Sequence, residues 1–329
     1  MARASMSAPR RRALVTGGCG YLGARLVHAL LASGTEVVIW TRAMPNAESM
    51  RARSVVPARI VAVDISDCAA VRALPGERFD QVFHLAANTD FMASVERPVE
   101  DFLDNALATL NVLEFVRRCS PDSRLVFTSS AHIYGEGGAE PIAEATRGET
   151  VSPYGASKAC AELYVRLYAR VHGLRTAIAR LFSLYGPGLE RYVVHDFMRK
   201  LAADPSVLRI AGDGSHVRDL NYVDNVVDAL LTIASEARFD GDVYNVASGE
   251  HVSIADLAMS IARAMRVAPR LEFSGDIAAG AVARWIPDIG ALRRLGYRSR
   301  VSLSEGLAKT VAWFESEHLQ NGIRTEGSS

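Results

Sequence analysis

The chain has 329 residues, of which 49% are hydrophobic and 22% charged, ordinary globular values in a length sufficient for about two domains. Its 37 basic and 37 acidic residues cancel, which argues against a nucleic-acid binder that relies on a broad positive field. No apolar run approaches the roughly 18 residues of a spanning helix, so no membrane partner is expected, and the composition excludes disorder except at the ends.

Cys19, Cys68, Cys119 and Cys160 are the only cysteines, and none forms a Cys-x-x-Cys pair. Neither a disulfide framework nor a zinc site is expected. The eight histidines contain no His-Glu-x-x-His, and no metal is expected. Residues 1–11 are basic and small, with no apolar core behind them, and read as a disordered tail rather than a secretion signal. A cytoplasmic protein follows as the expectation.

Ala13-Leu14-Val15 reads as a buried strand, followed by a glycine-rich turn and an amphipathic helix over about 21–32. Further strands are expected at 36–40, 59–63, 81–85, 124–127 and 175–180. Helices are expected at 98–118 and 154–171. This alternation predicts an α/β fold, a Rossmann-type doubly wound parallel sheet. Apolar runs such as Val37-Val38-Ile39-Trp40 fit strands buried on both faces. Beyond Leu184-Tyr185-Gly186-Pro187 the pattern loosens, with helices expected at 194–201, 223–235 and 254–265. The expected organisation is a dinucleotide-binding domain over 12–184 and a smaller C-terminal α/β substrate lobe over 185–318. The chain is free to cross between them, and 319–329 reads as a second disordered tail.

Thr16-Gly17-Gly18-Cys19-Gly20-Tyr21-Leu22-Gly23 sits between the first strand and the first helix. Glycines there allow a tight turn and close approach of a pyrophosphate, which the helix N-terminus then holds. The candidate cofactor contacts are Gly17, Gly20, Tyr21, Leu22 and Gly23. This Thr-Gly-x-x-Gly-x-x-Gly spacing resembles the short-chain dehydrogenase/reductase superfamily. Phe83-His84-Leu85-Ala86-Ala87, Ser129-Ser130-Ala131-His132-Ile133-Tyr134-Gly135 and Ser152-Pro153-Tyr154-Gly155-Ala156-Ser157-Lys158 narrow the resemblance to its extended branch. Gly212-Asp213-Gly214 through Asp219 and Tyr222-Val223-Asp224 agree. The whole resembles the NAD(P)-dependent sugar-nucleotide epimerase/dehydratase family, of the UDP-glucose 4-epimerase type.

The resemblance places Asp64 and Ile65 against the adenine, Leu85, Ala86 and Ala87 along the cofactor, and Asn105 near it. Asn105 reads equally well as a satisfied buried amide. Dinucleotide folds usually carry an acid at the end of strand two, but Thr41 and Arg42 stand there. Arg42 pairing with a 2′-phosphate, with Thr41 donating a hydroxyl, favours NADP(H) over NAD(H). A solvated loop Arg beside NAD is the plainer reading.

Tyr154 and Lys158 are four apart on a helix and so share a face. The lysine ammonium, which would also hold the nicotinamide ribose, favours the phenolate of a tyrosine otherwise too weakly acidic to serve. Tyr154 then exchanges a proton with the sugar hydroxyl, and Ser130 hydrogen-bonds the reacting oxygen. Related 4,6-dehydratases carry Asp-Glu after the catalytic hydroxyl. Ala131 and His132 stand there instead, which disfavours dehydration.

Thr89, His132, Ser183, Arg218 and Arg284 are the candidate substrate contacts, with His132 equally readable as a satisfied polar residue. Ser183 replaces a frequent family Asn, and Ala278-Ala279-Gly280-Ala281 replaces a frequent Arg-Pro-Gly-Asp. The expected partner is a nucleotide-sugar, and a homodimer is expected through helices 98–118 and 154–171. Three activities compete: an epimerase acting by transient oxidation at a sugar carbon, C4 first; an NADPH-dependent 4-keto-6-deoxy nucleotide-sugar reductase; and a catalytically idle regulatory protein. The complete Ser130, Tyr154, Lys158 set opposes the last.

Overall fold

The computed structural model describes residues 11–45, 58–135, 140–275 and 284–326. It divides into two units. One comprises the chain up to Ile133, Thr150–Arg180 and Val227–Tyr244, and the other Tyr134–Glu149, Leu181–Val226 and the chain from Asn245 onward.

The first unit is built on a seven-stranded sheet in the order β10-β6-β5-β4-β1-β2-β3. Its strands are β1 (Arg12–Thr16), β2 (Glu36–Thr41), β3 (Arg59–Ala62), β4 (Gln81–His84), β5 (Arg124–Ser130), β6 (Arg175–Leu181) and β10 (Asp240–Val246). All pairings among β1 to β5 are parallel. The strand order reverses between β1 and β4, the position at which doubly wound sheets open a crevice at their carboxyl ends.

Its helices are α1 (Tyr21–Ala32), α2 (Cys68–Ala73), α3 (Phe91–Glu96), α4 (Pro98–Phe102), α5 (Ala108–Cys119), α6 (Pro153–His172) and α8 (Val223–Glu236). Leu14, Val38, Val82, Leu125 and Ile178 of the sheet share one apolar core with Val112, Phe115, Val116 and Val165 of the helices. Phe115 meets Trp40 edge-on, with ring centroids 4.6 Å apart. The helix expected over 98–118 forms, but a π turn at Leu103–Leu107 separates α4 from α5. β5 runs three residues past its expected end, because Thr128, Ser129 and Ser130 remain buried although polar. The Thr128 hydroxyl donates to the His84 carbonyl at 3.1 Å, replacing water.

The second unit holds short strands that the sequence pattern did not announce: β7 (Ser183–Tyr185), β8 (Val207–Ile210), β9 (Val217–Tyr222), β11 (His251–Ser253), β12 (Arg270–Phe273) and β13 (Arg284–Trp285). Runs of two to six residues, half of them polar, carry too little periodicity to be read. Its helices are α7 (Tyr192–Ala203), α9 (Ile254–Ala264), α10 (Gly290–Arg294) and α11 (Leu303–Glu326). Buried Asn245 ties two segments of this unit together. Its amide donates to the carbonyls of Ile142 and Asp288 at 2.9 and 3.0 Å, and its oxygen accepts the Tyr134 hydroxyl at 2.6 Å.

α11 continues to Glu326, through residues expected as a tail, because no proline stops its propagation. Residues 1–10 and 278–281 lie outside the described residues. Among the described residues, no helix is long and apolar enough to cross a membrane.

Candidate active site

The turn after β1 requires its glycines. Gly17 has φ of +70°, and a Cβ there would stand 2.8 Å from the Ala86 nitrogen. A Cβ at Gly23 would stand 2.1 Å from the Gly17 carbonyl oxygen, so α1 packs directly on the loop. Gly20 is the N-cap of α1 and offers no side chain to its first N–H groups. Four other helices, α2, α3, α6 and α9, are capped by Asp67, Asp90, Ser152 and Ser253. The first turn of α1 also carries no acid. Half-buried Tyr21 and Leu22 begin a helix whose positive end suits a pyrophosphate.

Leu85, Ala86 and Ala87 follow β4 along this turn. The nitrogens of Leu85 and Ala86 donate to the carbonyl and hydroxyl of Thr16, each at 3.2 Å. Behind them the Thr109 hydroxyl donates to the Asn105 carbonyl at 2.6 Å, so it accepts from His84 Nε2 at 3.0 Å. His84 Nδ1 then accepts the Thr16 hydroxyl at 2.6 Å. The imidazole is neutral, and burial, aided by the charge of Lys158, drives its pKa down to about 3.

At the end of β2 the Thr41 hydroxyl donates to the Ala43 carbonyl at 3.1 Å. Arg42, expected to face a 2′-phosphate, pairs instead with Asp64 at 3.3 Å and with Asp104. Burial pushes the Asp64 carboxyl up, but Ser66 and Arg42 outweigh it and hold the group below its usual range. The Ile65 carbonyl accepts the Asn111 amide at 2.9 Å. Asn105 is 1% exposed, and its amide donates to Asp101, Ser157 and the Asn88 carbonyl at 3.0, 3.1 and 3.2 Å. Its side chain is engaged inside the protein, and it fixes Asn88 rather than reaching outward.

Ser130 closes β5, while Tyr154 and Lys158 occupy the first turns of α6. Pro153 and the Ser152 cap, which accepts from the Gly155 nitrogen at 3.1 Å, fix where that helix begins. All three candidates are buried, with exposures of 7%, 7% and 2%. A Cβ at Gly155 would lie 2.8 Å from the His132 carbonyl oxygen, so only glycine lets α6 approach the end of β5 this closely. The His132 nitrogen donates to Ser130 Oγ at 3.3 Å, and its ring lies edge-on to Tyr154 with centroids 5.3 Å apart. Phe91 covers its other side at 5.7 Å. The Lys158 ammonium stands 4.5 Å from the centre of the Phe127 ring. Burial drives its pKa down to about 8, opposed by the carboxylates of Glu162 and Asp101. Thr89 is exposed between β4 and α3.

In the second unit, one small sheet carries three of the candidate substrate contacts. Ser183 lies opposite Leu220 of β9, while Arg218 of β9 lies opposite Trp285, next to Arg284. The Arg218 guanidinium stands 5.5 Å from the centre of the Trp285 ring. Arg284 is exposed and pairs with Glu140 at 2.7 Å. Sequence reasoning missed Asp101, Asn88, Ser157 and the His84 relay, none of which sits at a spacing that marks it.

Known proteins resemble the chain over nearly its whole length. The chain is 31% identical to the UDP-glucose 4-epimerase of Mycolicibacterium smegmatis over 327 residues, covering 93% of this chain and 99% of that protein. The UDP-glucose 4-epimerase of Thermus thermophilus, solved in complex with NAD, superposes with a TM-score of 0.79 at 33% identity, covering 92% of this chain and 99% of that one. The dTDP-glucose 4,6-dehydratase DesIV of Streptomyces venezuelae, solved with NAD, superposes with a TM-score of 0.81 at 28% identity, covering 92% and 97%. The family model for NAD dependent epimerase/dehydratase matches residues 13–247, and the chain belongs to that family, within the extended short-chain dehydrogenase/reductases.

Proposed function

We propose that this chain is a nucleotide-sugar 4-epimerase. The observation that carries the reading is the burial of Ser130, Tyr154 and Lys158 together, at the end of β5 and the start of α6, without a carboxylate at Ala131 or His132. A dehydratase of this family needs acid and base beside the sugar for water loss, and those two positions supply neither as a carboxylate. The bound dinucleotide would supply hydride acceptance and return at the sugar carbon. Tyr154 takes the C4 hydroxyl proton as the carbonyl forms and gives it back to the same oxygen when the carbonyl is reduced from its opposite face. Lys158 contributes the positive charge that favours the phenolate, and Ser130 Oγ–H donates to the reacting oxygen.

NAD(H) is the proposed cofactor, against the preference for NADP(H) that Arg42 first carried. Asp64 and Asp104 both pair with Arg42, which leaves the cluster net negative and repels a 2′-phosphate. The substrate is proposed to be a nucleoside-diphosphate hexose, with the diphosphate met by Arg218 or Arg284. A homodimer is proposed, supported by the exposed apolar side chains Val99 and Phe102 of α4 and Leu163 and Val171 of α6. The four free cysteines support a reducing, cytoplasmic setting.

The test is a panel of UDP- and dTDP-hexoses incubated with the purified enzyme and analysed by NMR. A C4 epimer formed without net cofactor consumption supports the proposal. A 4-keto-6-deoxy product, or turnover that requires stoichiometric NADPH, overturns it. Tyr154→Phe should lower turnover about 10²–10⁴-fold while cofactor still binds.

A further inference from the structure

We propose that Asp101 is a positioning residue for Tyr154 and Lys158: a buried carboxylate on α4 that fixes the first turn of α6 through Ser157 and supplies the negative charge behind Lys158. The inference rests on the proton-transfer role proposed for that pair.

Asp101 is fully buried, at 0% exposure. One of its oxygens accepts the Ser157 hydroxyl at 2.6 Å, and the other accepts the amides of Asn105 and Asn88 at 3.0 and 3.3 Å. All three donors are neutral. Among the described residues, Asp101 has no cation within ion-pair distance, and neither does buried Lys158 an anion. A buried charge is costly unless an opposite charge balances it. The groups around Lys158 identify the counter-charge. Glu162 is matched by Arg180, with 2.7 Å between charged atoms. His84 is neutral within its two threonine contacts. Tyr154 is the proton-transfer group itself. Glu162 and, after it, Asp101 favour the charged Lys158, and Asp101 is the one of the two without an ion-pair partner among the described residues.

The contacts also fix position. Ser157 stands between Tyr154 and Lys158 in sequence, and its hydroxyl lies 3.0 Å from the Tyr154 carbonyl. Asn105, which completes the cluster, sits in the π turn that interrupts the long helix. Such turns commonly redirect side chains at functional sites. Here the turn carries the Asn105 amide that joins Asp101, on the preceding helix, to Ser157 of α6.

The chain has three lysines, Lys158, Lys200 and Lys309, so protein labelled with lysine carrying carbon-13 at Cε gives three resonances, assigned with Lys158→Arg. In Asp101→Asn the Lys158 titration midpoint should fall by about one pH unit. The ratio of turnover at pH 9 to that at pH 7 should drop about fivefold, with KM for the sugar unchanged. An unmoved midpoint in folded Asp101→Asn overturns the proposal. Ser157→Ala keeps the charge and removes its contact, so turnover should fall with the midpoint held. If Asp101→Asn does not fold, normal turnover in Ser157→Ala overturns the proposal instead. A wild-type enzyme inactive on every nucleotide-sugar would refute the epimerase reading alone, because the lysine titration still tests Asp101.

Discussion

The buried ion pair between α6 and β6 offers a stability test with a calculable size. Glu162 of α6 receives Arg180 of β6 in a fork, Nε at 2.9 Å and Nη2 at 2.7 Å. The two side chains are only 7% and 6% exposed, so solvent screening discounts little. Removing one partner strands a buried charge, which costs about 3–5 kcal/mol. At roughly 2–4 °C per kcal/mol for units of this size, Arg180→Met should lower Tm by about 6–20 °C. Glu162→Leu should act similarly. The double variant puts apolar groups of like volume in the same space and should lose less than either single variant, a coupling of more than about 3 kcal/mol. Calorimetry on all four proteins at pH 7.5 measures the cycle. Additive losses, or single variants within 2 °C of wild type, would show that the pair is not desolvated as the geometry requires.

Acid should unfold the protein partly through His84. Its folded pKa, about 3, lies below the ordinary 6.5, so the unfolded chain takes the proton first. Stability then falls as pH drops below 6.5, by up to about 1.4 kcal/mol per unit until about pH 3. Urea titrations between pH 7 and 5 should show a shallower slope for His84→Gln than for wild type, and equal slopes refute the assignment. Gly155→Ala forces a Cβ to within 2.8 Å of the His132 oxygen, so turnover should fall at least tenfold with the fold retained by circular dichroism. Calorimetric titration should show tighter binding of NAD(H) than NADP(H), with Arg42→Ala weakening neither by more than a few-fold. Light scattering should give a dimer mass for wild type and a monomer for Phe102→Asp/Leu163→Asp.

What the sequence disclosed was local along the chain. The glycine turn, Tyr154 with Lys158 and the alternation of strands with helices each lie within about twenty residues, where backbone geometry alone relates the parts. The undisclosed parts depend on distant partners. Asp101 is an acid on a short helix, and nothing nearby marks it as buried against residue 157. The two-residue strand β13 exists only because β9 offers it an edge. Arg42 shows the same limit. Beside Thr41 on a strand end it reads as a free cation, and a free cation there would read phosphate. Asp64 and Asp104 come to it from 22 and 62 positions away and change the sign of the cluster. A charged side chain near a ligand therefore has no fixed meaning until its neighbours are counted. In this protein that count underlies the proposal of the plain dinucleotide rather than the phosphorylated one.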